Sequence, residues 1–80
     1  MVRVIHFRNY GVYVICERGV QHHRPHAHIK ARRGRRVASI YLETLTLFNQ
    51  VESVPRDLLD TITENQELLL SRWEELNDDA

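Results

Sequence analysis

Apolar and polar positions alternate along the first half of the chain and recur at helical spacing in the second. Residues 2–17 are rich in Val, Ile, Phe and Tyr, with a break at Asn9-Tyr10-Gly11. This pattern predicts a strand over 2–7, a turn or bulge, and a longer strand over 12–17. Residues 18–25, with Gly19 and Pro25, read as a loop. Pro25 has no N–H to donate, so the next strand begins at it or after it. Arg33-Gly34 then lies between two alternating runs, predicted as strands over 26–32 and 35–42. Glycine there supplies the positive φ of a two-residue hairpin turn. Pairing Arg32 with Arg35 sets Ile29 opposite Ala38 and Ala27 opposite Ile40, all on one side of the sheet. The other side carries His26 opposite Tyr41, His28 opposite Ser39 and Lys30 opposite Val37, with Arg32 and Arg35 extending it.

Residues 44–52 are irregular, with a further short strand expected around 47–51. A helix is predicted over about 55–77, led by Pro55, with Ser53 as its cap and Asp57 near the positive end of its dipole. Leu58, Ile62, Leu69, Trp73 and Leu76 recur at helical spacing, supported by Leu59 and Leu70, and read as core. Asn65 interrupts this stripe and marks 64–67 as the place for a kink or break.

The expected fold is α+β: an antiparallel sheet of three to four strands with one long C-terminal helix packed on one face. Eighty residues and 9.5 kDa allow one small domain, whose core alone supplies about 3–5 kcal/mol. Rossmann, kinase and barrel machinery does not fit in this length. Apolar content of 42% excludes disorder by composition. The longest apolar runs, such as 12–16, fall far short of a membrane span. The start, with Arg3 and Arg8 among its apolar residues, does not read as a signal peptide. A single cysteine, Cys16, gives no intramolecular disulfide and fits a reducing compartment. A cytoplasmic protein with no membrane partner and no cofactor is expected.

The net charge of zero conceals a polarity. Residues 1–36 hold nine Lys/Arg against one acid, Glu17, leaving +8. Residues 37–80 hold two against ten, leaving −8. All five histidines fall in the basic half. Either the halves neutralise one another, or the basic half presents an anion-binding surface.

Three chemistries follow. The run His22-x3-His26-x-His28 has a spacing compatible with zinc, but adjacent arginines oppose a cation and no carboxylate lies near in sequence, so no metal is expected. A strand face bearing Arg24, Lys30, Arg32, Arg33, Arg35 and Arg36, with Tyr41 and Tyr13 as stacking surfaces, suits phosphate contact and base stacking. On that face His26, His28 and Lys30 are candidates for base, acid and phosphate cation in metal-independent RNA cleavage. The blander alternative is a solubilising face. Residues 12–16 are apolar at every position, which invites a covering partner: a second copy of the chain or a cognate small protein.

Tyr10-Gly11-Val12, then His22-His23-Arg24-Pro25-His26-Ala27-His28, Val54-Pro55 and Leu69-Leu70-Ser71-Arg72-Trp73, taken in order, resemble a small family of bacterial proteins catalogued as domain of unknown function number 4160. The likeness runs from about Phe7 to Leu76. The chain departs from the family in Arg24 where Pro is usual, in Ala27 where an aromatic is usual, and in lacking a glycine turn between Glu43 and Val54. Its basic run from Lys30 to Arg36 is also heavier. The resemblance maps the family's histidines onto His22, His26 and His28. It implies one half of a toxin–antitoxin pair, the toxin half by expectation, acting on RNA or translation. The other reading is a non-catalytic module, an antitoxin or regulator, that uses the sheet face to hold a protein partner.

Overall fold

The computed structural model describes residues 2–15 and 24–77. Among these, five strands form one antiparallel meander in the order β1-β2-β3-β4-β5. They are β1 (Val2–Phe7), β2 (Tyr10–Val14), β3 (His26–Lys30), β4 (Arg36–Tyr41) and β5 (Leu47–Phe48). Two helices follow, α1 (Arg56–Glu64) and α2 (Gln66–Asn77). The chain is thus α+β, with five strands where three to four are expected, the fifth being the short strand expected around 47–51 reduced to Leu47–Phe48, and two helices in place of one. No helix among the described residues is long and apolar enough to cross a membrane.

The hairpin of β3 and β4 sets the register. His26 stands opposite Tyr41, Ala27 opposite Ile40, His28 opposite Ser39 and Ile29 opposite Ala38. Ala27, Ile29, Ala38 and Ile40 are buried, and the alternation of β3 turns His26, His28 and Lys30 to the other face. Lys30 does not face Val37, as strict alternation requires. A bulge makes Val37 the extra residue, Lys30 pairs with Arg36, and Val37 joins the buried cluster. Positive φ at both Arg33 (63°) and Gly34 (74°) turns the chain between the strands.

The first turn lies at Arg8 and Asn9, so Tyr10 and Gly11 belong to β2 and not to the break. Gly11 is needed for space: a Cβ there would come within 2.7 Å of the Tyr13 ring, which lies over it. The connection from β4 to β5 has no glycine. Leu45 takes φ of 60° instead, and its N–H bonds the Tyr41 carbonyl at 2.7 Å.

The helices cover one face of the sheet. Leu58, Ile62 and Leu69 are buried in one cluster with Ile5, Val12, Val14, Ile29 and Ile40, and Trp73 packs half-buried against it. Pro55, not Ser53, caps α1, its carbonyl accepting from the N–H groups of Leu58 and Leu59. Asn65 leaves helical geometry (φ −110°, ψ 19°), and its side-chain amide donates back to the Thr61 carbonyl at 2.8 Å. Short polar side chains compete for backbone groups in this way, which is why the predicted single helix breaks here. The break lets α2 be tied down at both ends. Gln66 donates to the Leu42 carbonyl at 2.7 Å, beyond the end of β4, and Asn77 to the Ile15 carbonyl at 3.1 Å, beyond the end of β2.

Candidate nucleic-acid interface

The face of the sheet turned away from the helices, open among the described residues, is built from cross-strand rows. One row runs Arg3, Tyr13, His28, Ser39 and Phe48 across all five strands. Beside it, His26 stands opposite Tyr41, and Gly11, Lys30 and Arg36 are aligned. Residues directly paired across strands share a face, so backbone pairing alone gathers imidazole, aromatic and cationic side chains here.

These side chains interlock. The Tyr41 and Phe48 rings stack at 4.1 Å and 15°. The Arg24 guanidinium carbon lies 4.0 Å from the Tyr41 ring centre. Approaches this close require opposite faces of the ring, so Tyr41 is sandwiched, and a base reaches it only by displacing Arg24. The His26 ring meets Phe48 edge-on at 5.8 Å and His28 edge-on at 5.2 Å. Arg24, Tyr41, Phe48, His26 and His28 therefore form one continuous platform.

Hydrogen bonds orient the two imidazoles differently. His26 Nδ1 lies 2.9 Å from the Arg24 carbonyl. A carbonyl only accepts, so Nδ1 carries the proton and the lone pair of the neutral ring is at Nε2. His28 Nδ1 lies 3.0 Å from the hydroxyl of Ser39, which is wholly buried and able to donate or accept. The Lys30 ammonium is on the same face but sits 5.6 Å from the Tyr13 ring centre. The structure thus brings His26 and His28 together, draws Lys30 toward β2, and sets Arg24 beside His26 instead.

The remaining cations divide. Arg35 is committed to Glu52 through a two-pronged pair, Nε to Oε2 at 2.7 Å and Nη2 to Oε1 at 3.2 Å. That hydrogen bond and the carboxylate charge raise the guanidinium above its ordinary pKa. Arg8 bonds Asp57 at 3.0 Å. Arg3, Arg24, Arg32, Arg33 and Arg36 are exposed and form no ion pair with any described carboxylate. Mutual neutralisation of the two halves therefore reaches only part of the basic half. The helices carry six acids against two arginines, so the polarity along the chain becomes a polarity between layers.

Sequence reasoning missed Phe48, which a two-residue strand delivers to the platform, and also Arg3 and His6, which the register of β1 places on the open face. Strict alternation would set residues 3 and 6 on opposite faces; the register shift between Arg3 and Ile5, which leaves Val4 unpaired, brings Arg3 and His6 to the same one. No group of three His, Cys, Asp or Glu side chains suited to a metal occurs among the described residues. His22, Cys16 and Glu17 lie outside them, as does the predicted end of the second strand over 16–17. Compared with known proteins, the chain matches no family model, no curated protein and no solved structure.

Proposed function

We propose that the open face of the sheet binds single-stranded RNA. The observation that carries this reading is the Arg24–Tyr41–Phe48–His26–His28 platform, bordered by arginines with no described carboxylate partner and turned away from the acidic helices. Aromatic and imidazole rings offer stacking to any base, and guanidinium groups engage phosphate.

The resemblance to family number 4160 supports a place for the chain in a toxin–antitoxin module, beside a cognate small protein. The His26–His28 pair favours a second reading, in which the bound RNA is also cleaved. His26, whose lone pair is at Nε2, is then the base on a ribose hydroxyl, His28 the acid, and Arg24 the cation at the phosphate. A face that only grips a protein partner, as antitoxin, regulator or self-paired dimer, is the competing outcome.

The test is fluorescence anisotropy of a labelled single-stranded RNA over a range of salt. Affinity falls steeply as salt rises, because each neutralised phosphate releases counterions. Arg24→Gln and Arg36→Gln each flatten the logarithmic salt slope by about 0.7. Arg35→Gln, already neutralised by Glu52, changes it far less. RNA that does not bind at low salt, or binds with a slope indifferent to Arg24 and Arg36, removes the reading in favour of a protein partner.

A further inference from the structure

The tips of the two N-terminal hairpins enclose an open cleft of about 260 Å³ at one end of the open face. Arg3, His6, Arg8, Tyr13, Arg32 and Arg33 line it. Arginines thus border it from β1, from the β1–β2 turn and from the β3–β4 turn. The guanidinium of Arg8 is turned to Asp57 and the Phe7 ring, and those of Arg3, Arg32 and Arg33 form no ion pair with a described carboxylate. Cations crowded into a concave site repel one another and focus a positive potential there, which an entering anion relieves.

The backbone adds an independent observation. Arg8 (φ 54°) and Arg33 (φ 63°) both occupy left-handed geometry, one at each tip. Glycine and asparagine adopt that conformation with least strain, and strained backbone concentrates at functional sites. Arginine stands at both tips, and its planar fork matches phosphate oxygens in pairs.

The cleft also abuts the platform. Tyr13 lines the cleft and stands between Arg3 and His28 in one cross-strand row. At about 4.8 Å per strand, Arg3 and His28 are about 10 Å apart. A strand lying on the platform therefore runs into the cleft within a nucleotide or two. We propose that this cleft holds the terminal phosphomonoester of the RNA, so that the protein selects RNA ends carrying a phosphate. A monoester is a dianion at neutral pH and uses more of the bordering charge than an internal diester does. The inference rests on RNA binding by the open face.

The experiment compares one short single-stranded RNA, labelled internally, with phosphate or hydroxyl at its 5′ or 3′ end. Wild-type protein is expected to bind one of the phosphorylated forms about tenfold more tightly than its hydroxyl counterpart. Millimolar orthophosphate should erase that difference. The R3Q/R32Q/R33Q variant should bind every form more weakly, because these arginines also border the open face, and should no longer distinguish a phosphate end from a hydroxyl end. Arg33→Gly gives a second, folding-independent reading: relief of the left-handed strain raises the melting temperature, yet the preference for phosphate falls. RNA binding indifferent to the end groups overturns the terminal-phosphate site and leaves the open-face reading standing. If no RNA binds while calorimetry detects orthophosphate in wild type and not in the triple variant, the ligand is free phosphate; the RNA-end proposal falls together with the RNA reading.

Discussion

Ile29→Ala is expected to cost about 2–5 kcal/mol of folding stability. Ile29 has no exposed surface and lies on β3, the middle strand, with Val12 on one side and Ala38 on the other. Small neighbours such as Ala38 and Ala27 cannot swell to fill the void, so the cavity term is retained. A core of this size supplies only about 3–5 kcal/mol in all. The variant should therefore be largely unfolded at 25 °C by circular dichroism, and Ile40→Ala should behave similarly. Val51→Ala, at a position 66% exposed, is the control and should melt within a few degrees of wild type. An Ile29→Ala protein that melts like wild type would show that β3 is not packed as described.

The cleaving reading makes the second large prediction. His26→Gln keeps a polar side chain of similar reach but removes the titrating group and the Nε2 lone pair. A general base or acid contributes about 10²–10⁴-fold, so RNA cleavage should fall by that factor while affinity changes little. His28→Gln should act likewise, and Lys30→Gln much less, because Lys30 is drawn to Tyr13. Gel analysis of end-labelled RNA reads the cleavage, and anisotropy reads the affinity on the same samples. If wild type cleaves nothing and His26→Gln loses affinity, the histidines are contacts. If cleavage persists in both histidine variants, the acid–base assignment is wrong.

The β3–β4 pairing was legible in the sequence because two alternating runs agreed about one turn, Arg33-Gly34. That agreement places Ala27 and Ile29 in the core and puts His26 and His28 on one face. The bulge at Val37 was not legible, since valine suits a buried position on either side of a register shift. Gly11 read as part of a turn because glycine usually punctuates; here its missing Cβ makes room for a ring two residues on. A short strand around 47–51 was legible, but the two residues that form β5 are too few to show by periodicity which face Phe48 takes, so its stack with Tyr41 emerges only from tertiary pairing. Arg35 illustrates the limit for charge: its partner Glu52 is 17 residues away and reaches it only through the fold. Asn65, by contrast, was visible as a polar residue on an apolar stripe, and the helix does break there.

The central claim is that the sheet face opposite the helices is the RNA surface. A titration of isotope-labelled protein with single-stranded RNA, followed by amide and side-chain NMR shifts, tests it most directly. The account predicts saturating shifts at His26, His28, Lys30, Arg36, Tyr41 and Phe48, with the amides of Asp60, Glu64 and Glu75 on the helices unmoved. Shifts confined to the helices, or none at RNA concentrations that saturate the anisotropy signal, would contradict it.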